Sequence, residues 1–214
     1  MLPRWLKKHI PGYLPPEGRW KHLAEPYEGD EIVVLDCETS CFDKKKGELL
    51  TVAAVRVKGN EIRMSDALEL TIDSDVETDP DSVRIHYLRR EDRLKGVTVA
   101  EAIEKLLDFI GNRPICGFYI EYDEAILNRY IKQLYNFHLP NHFIEVSEIY
   151  VKQKRRHIPE LQLDLTFEGL ATDLKVPVIE RHTAMGDVIS TALMYIKLTE
   201  FRKAQKLLPG KSSK

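Results

Sequence analysis

The sequence predicts an α/β fold with a mixed central β-sheet flanked by helices. Three observations carry that prediction. Short apolar runs rich in β-branched residues come early in the chain, and a Gly59-Asn60 turn joins two of them. From Thr98 onward such runs alternate with segments of helical periodicity.

The first thirty residues stand apart. Pro3, Pro11, Pro15, Pro16 and Pro26 forbid one long helix, while Trp5, Leu6, Tyr13, Leu14, Trp20 and Leu23 are too apolar for a free linker. Residues 1–30 are therefore read as an arm lying on the domain surface. The run 32–35 is apolar and ends at Asp36, the pattern of a strand buried on both faces. A second strand is expected over 49–57, and the run 62–72 should pair back on it as a hairpin. Thr98 precedes Val99, Ala102, Ile103, Leu106, Leu107 and Ile110 at helical spacing, with Gly111 behind, so an N-cap and a C-terminal stop are both in place. Residues 114–119 suit a further buried strand, 123–137 a helix, and 143–146 another strand. Phe167, Leu170, Ala171 and Leu174 predict a short helix, and a long one is expected over 184–203. The domain is bounded at 31–205, with a short basic tail at 206–214.

Composition narrows the function. The chain has 214 residues, 43% hydrophobic and 31% charged, enough for a real core. Lys and Arg number 32 against 34 acids, for a net charge of −2, so an anionic partner must be handled by local charge. Three cysteines cannot build a disulfide framework and point to a reducing, cytoplasmic setting. No apolar run approaches the ~20 residues needed to span a bilayer, and no membrane partner is expected.

The chemistry-bearing residues are acids. Asp36 and Glu38 lie two apart in a strand and so share a face at its end, with Cys37 pointing the other way. Ligands of open α/β sheets bind at such carboxyl ends. Asp123 is expected to open its helix on the apolar side, near Ile126, Leu127 and Tyr130. Asp187 falls at the border of the buried arc of the last helix, and His182 stands five residues earlier in the preceding loop. Buried carboxylates held together repel one another, and hard divalent ions with oxygen preference resolve that repulsion. Two such ions suit in-line attack on a phosphodiester, and a neutral His suits proton removal from the attacking water.

In this order the motifs resemble the DnaQ-like 3′–5′ exonucleases of the DEDDh class. VVLDCETSCFD resembles the first motif, ICGFYIEYDEAIL the second and RHTAMGDVISTA the third; SVRIHYLRREDR resembles the stretch ahead of the second. The spacing of His182 to Asp187 suits this class, while Thr183 stands where the sister class has Tyr. The resemblance implies an RNase H-like fold and Asp36, Glu38, Asp123 and Asp187 as ligands of two Mg²⁺ or Mn²⁺ ions. It implies His182 as general base, and Thr39 and Ser40 beside the terminal nucleotide. The substrate implied is the 3′ end of a single-stranded nucleic acid, DNA favoured, with nucleoside 5′-monophosphates released and a polymerase as partner. Thr39, Ser40 and Cys41 follow Glu38 where the family usually reads Thr-Thr-Gly, so Cys41 stands in place of the glycine. An RNA-trimming enzyme of the same class and a catalytically silent nucleic-acid-binding or scaffold module are the alternative readings. Lys44, Lys45 and Lys46, and the cluster Lys152, Lys154, Arg155 and Arg156, are candidate phosphate contacts.

Overall fold

A computed structural model describes residues 12–15, 17–74, 93–156 and 158–207, the last seven by backbone alone. Trp5, Leu6, most of SVRIHYLRREDR and residues 208–214 lie outside that description.

Five strands form one sheet in the order β3-β2-β1-β4-β5. β1 (Glu31–Thr39), β2 (Leu49–Lys58) and β3 (Glu61–Thr71) run antiparallel, whereas β4 (Ile115–Gly117) and β5 (Phe143–Glu145) join parallel on the other side of β1. The expected hairpin closes between Lys58 and Glu61, with Gly59 at φ +63° as the first residue of its two-residue turn. β1 is thus the central strand, at the junction of the antiparallel and parallel halves.

Helices cover both faces. α1 (Val99–Ile110) begins at Thr98 with a reciprocal capping box to Glu101 and ends at Gly111, φ +55°, as its sequence dictates. α1 and α2 (Ile120–Tyr135) bury Ile103, Leu107, Ile126, Leu127 and Ile131 against Val33, Leu35 and Cys37. α3 (Val146–Lys154), α4 (Phe167–Leu174) and α5 (Ala184–Leu207) pack on the opposite face, where Tyr150, Leu170, Val188 and Ala192 meet Ile32 and Val34. The period of β1 carries this second face on to Asp36 and Glu38.

Several boundaries differ from the sequence reading. α2 starts three residues before Asp123, with Tyr119 as its N-cap in left-handed conformation, so Asp123 is not the cap. β4 stops at Gly117 because the chain must turn there; a Cβ on Gly117 would meet Ile120 Cδ1 at 2.5 Å. α3 is absent from the sequence reading: its apolar residues are few, and Lys152 and Lys154 stand there as candidate phosphate contacts. Lys154 instead pairs with Asp173 of α4 and lies over the Tyr150 ring. α5 runs on to Leu207, two residues into the expected tail.

The described part of the arm packs on the α1–α2 face. Trp20 and Leu23 are buried in that core, with Trp20 edge-on to Tyr135 at 5.8 Å between centroids. Arg19 pairs with Glu104 and Asp108, and Tyr13 stacks on His138 at 5.2 Å. Trp20→Ala should therefore cost about 3 kcal/mol in chemical denaturation; an unchanged midpoint would show that the arm contributes nothing to the fold.

Candidate active site

The site forms where β1 ends. Its last residues are held by β2 up to a register shift: Glu38 pairs with Thr51, but Thr39 pairs with Leu49. A bulge at a strand end bends the ladder and re-aims the side chains beside it. Asp36 and Glu38 thus share one face at the strand's end, opposite Ala53 and Thr51.

Asp123 arrives from α2 on the other side. The strained Tyr119 (φ 56°, ψ 35°) turns the chain sharply into the helix. Glu145 accepts from the Ile120 N–H at 3.0 Å and from the Ser147 N–H at 3.0 Å, so one carboxylate fixes the starts of α2 and α3 together. Asp123, only 4% exposed, then accepts from the Cys37 N–H at 3.0 Å, between the two β1 acids.

Asp187 arrives on α5. Thr183 caps that helix: its hydroxyl accepts from the Gly186 N–H at 3.0 Å and its carbonyl from the Asp187 N–H at 2.9 Å. The preceding loop folds back on the first turn, with the Ile179 N–H donating to Ser190 Oγ at 2.8 Å. Gly186 permits the approach, since a Cβ there would meet the carbonyls of Glu180 and Ile179 at 2.4 and 2.5 Å. His182 sits in this loop at φ 68°, half-buried.

These paths converge. Asp36, Glu38 and Asp187 each bring a carboxylate oxygen within 4.8 Å of the others. Asp123 lies beside this trio and acts electrostatically on Asp36. His182 acts on the Asp187 carboxylate through its charge and its backbone amide. The four expected acids thus lie together at one strand end, with the His182 loop leading into the helix that carries Asp187.

The electrostatics follow from burial. Burial first, then the charges of Asp123, Glu38 and Asp187, hold Asp36 well above the usual carboxylate range. Burial pushes Asp123 up to about 8, against the hydrogen bonds from Cys37. Burial and the Asp187 charge push Glu38 up to about 7. Asp187 is raised by burial and drawn back by the Arg181 guanidinium, with which it forms an ion pair.

Thr39 and Ser40 are buried, and their hydroxyls are engaged within the chain. Thr39 Oγ1 donates to the Cys41 carbonyl at 3.0 Å and meets the Tyr122 hydroxyl at 2.6 Å, while Ser40 Oγ accepts from the Glu48 N–H. The following loop is tied down by Arg129, which donates to the carbonyls of Lys45 and Gly47, and by Tyr130, which bonds Glu48. It displays Phe42, 66% exposed, and the exposed Lys44, Lys45 and Lys46.

Two site residues escaped the sequence reading. Arg181 was overshadowed by its neighbour His182. Thr51 stands alone as a hydroxyl in an apolar strand, which was the signal available. Its Oγ1 and Asp187 Oδ1 are buried without a hydrogen-bond partner among the described residues. Buried oxygens left unmatched beside an all-carboxylate donor set fit hard divalent ions and their bound water.

The comparisons give the family and the fold. A family model described as "Exonuclease" (RNase_T) matches residues 33–195, most of the chain. The DNA polymerase III subunit epsilon of Aquifex aeolicus is 26% identical over 182 residues, covering 79% of this chain and 80% of that protein. Escherichia coli exonuclease I in complex with a dA16 oligonucleotide superposes with a TM-score of 0.69 at 16% identity, over 83% of this chain and 42% of that one. A moderately thermophilic exonuclease I from Methylocaldum szegediense gives 0.65 at 17% identity, over 82% and 41%. The chain spans less than half the length of these exonuclease I chains. The likeness shows the fold, which is the expected RNase H-like α/β arrangement. No helix among the described residues is long and apolar enough to cross a membrane.

Two outcomes follow from the site's construction. In the folded protein the raised carboxyl groups keep protons that the unfolded chain has released, over the window from the ordinary carboxylate value to about 8. Stability therefore falls as pH rises through that window, and the chelated protein should melt at a lower temperature near pH 8.5 than near pH 5.5. Equal or reversed melting temperatures would show that the acids are compensated otherwise. Gly186→Ala, worth about 1 kcal/mol of gain in an open helix interior, should instead destabilise the protein, because it pushes on the loop that carries His182; denaturant melts compare the two signs directly.

Proposed function

We propose, for a chain that belongs to the RNase_T exonuclease family, that it is a metal-dependent 3′–5′ exonuclease acting on the 3′ end of single-stranded nucleic acid, DNA favoured, and releasing nucleoside 5′-monophosphates. The observation that carries this reading is the meeting of the Asp36, Glu38 and Asp187 oxygens within 4.8 Å, with Asp123 and His182 at their margin.

In this reading Asp36, Glu38, Asp123 and Asp187 hold two Mg²⁺ or Mn²⁺ ions. Bound there, such ions would lower the pKa of water and offset charge on the phosphate. The chain's own contributions are then distinct. The four carboxylates, anchored on β1, α2 and α5, stay ionised once their repulsion is offset. His182, in its half-buried loop, takes a proton from the attacking water on an imidazole nitrogen. Its left-handed backbone and the Thr183 cap restrict where that ring can go. Thr39 and Ser40 shape the backbone at the strand end, where the terminal nucleotide would rest.

Beyond the scissile bond, the locked loop offers what an unpaired strand needs. Phe42 presents a ring for base stacking and Lys44–Lys46 present charge for phosphates. With a net charge of −2 there is little reach toward duplex, which agrees with a substrate held by its end. The likeness to a polymerase subunit supports a polymerase partner and a proofreading role. Three free cysteines, Cys37 and Cys116 among them buried, agree with a cytoplasmic setting.

The decisive measurement follows mononucleotide release from matched 3′-labelled DNA and RNA, single-stranded and duplex, with Mn²⁺ or with chelator. Release should require the ion and be fastest on single-stranded DNA. His182→Ala should lower kcat by about 10²–10⁴-fold while leaving Mn²⁺ binding in place, and Asp187→Ala should abolish both. Release that survives chelation, or an Asp187→Ala variant with the wild-type rate, would overturn the reading.

A further inference from the structure

Arg181 stands next to His182 and was given no part in the reading above. Its guanidinium meets two acids at once. Nε donates to Glu168 Oε1 at 2.8 Å, and one terminal N–H donates to Asp187 Oδ2. The group also lies over the Phe167 ring, 4.1 Å from its centroid. Phe167 and Glu168 open α4, a helix that supplies none of the four carboxylates. Arg181 is therefore anchored from outside the acid cluster and reaches into it.

The carboxylate it reaches has two claimants. Asp187 is 5% exposed; one oxygen is engaged by Arg181 and the other has no hydrogen-bond partner among the described residues. The same carboxylate belongs to the trio whose oxygens lie within 4.8 Å. A divalent ion bound by that trio and a guanidinium on Asp187 would be like charges at close range in a poorly solvated place, and they would repel. Without the ion, the guanidinium offsets the repulsion among Asp36, Glu38 and Asp187, on all of which its charge acts.

The geometry points to Arg181 as an internal counter-cation of the metal-free site, one that holds Asp187 until a divalent ion takes that carboxylate and then falls back on Glu168 and Phe167. The balance between two acids makes the device work. Glu168, with its side chain 59% exposed, competes with the almost fully buried Asp187 for one guanidinium. The exchange keeps the acids compensated in both states and makes the ion's affinity lower than the four carboxylates alone would give. Once released, the guanidinium edge lies next to the His182 loop, with the planar, always-charged chemistry that suits a phosphate oxygen.

This inference rests on the metal reading of the site, and its test separates the two. Mn²⁺ binding to the full chain is measured by calorimetry without nucleic acid. Arg181→Gln removes the competitor and should tighten Mn²⁺ binding by about 5-fold or more, while lowering the melting temperature of the chelated protein. Glu168→Gln removes the other acid, leaves the guanidinium to Asp187, and should weaken Mn²⁺ binding. Arg181→Lys, a charge without the fork, should fall between wild type and Arg181→Gln. Circular dichroism establishes that each variant is folded; should Arg181→Gln fail to fold, the Glu168→Gln shift decides alone. Unchanged or weaker binding in a folded Arg181→Gln, or unchanged or tighter binding in Glu168→Gln, overturns the inference while the metal site stands. A wild-type chain that binds no Mn²⁺ overturns the metal reading and this inference with it.

Discussion

Mutual repulsion among buried carboxylates is the constraint around which this fold is arranged. Asp36 and Glu38 on one strand end, with Asp123 and Asp187 arriving from either side, would scatter if their backbones were free. Each is instead fixed by something that does not depend on its charge. Asp36 and Glu38 are placed by the β1–β2 ladder and Asp123 by the entry of α2. Asp187 is placed by a capped helix packed through Val188 and Ala192. A rigid scaffold of this kind holds the acids together at a cost in stability that a counter-cation offsets.

The position of β1 explains why the site lies where it does. β1 bonds antiparallel to β2 on one edge and parallel to β4 on the other, and its two faces carry different helices. The α1–α2 layer supplies Asp123 and the α3–α5 layer supplies Asp187. Only at the carboxyl end of the central strand can side chains from both layers meet without crossing the sheet. The register shift at Glu38 and Thr39 ends the ladder at that point and frees the chain to form the Ser40–Glu48 loop.

What was legible in the sequence follows the same physics. Strong periodic signals translated directly: the apolar core of β1, the Thr98 box and Gly111 stop of α1, and the stripe Phe167, Leu170, Ala171 and Leu174. The hairpin at Gly59 was equally plain. α3 was not, because two lysines and few apolar residues hid a helix that is held mainly by Val146 and Tyr150. The start of α2 was also missed. Its cap is a tyrosine in a conformation that tyrosine rarely adopts, so no local preference announces it. The five catalytic candidates were readable as a motif order. The ion pair of Arg181 was not, since a six-residue spacing does not announce that the loop folds back on the first turn of α5, nor was the orphaned Thr51 hydroxyl, which arises only when distant segments pack.

Most of the local rules that the chain breaks are broken near the acids. Among the described residues, five non-glycine residues adopt positive φ. Asn136 and Lys175 simply close α2 and α4, a common use of that conformation at helix ends. The other three are Tyr119, immediately before α2, and Glu180 and His182, immediately before α5. Those are the helices that carry Asp123 and Asp187. Strained entries, a register shift at Glu38 and the unpartnered oxygens of Thr51 and Asp187 fall around one strand end, while a second shift between Ala54 and Arg56 and the unpartnered Asn141 Oδ1 lie apart from it. Elsewhere turn, cap and apolar pattern agree with the fold. Strain concentrated in this way is what a folded chain tolerates when a geometry must be held against its own electrostatics. In this protein that geometry is the placement of the acids beside His182.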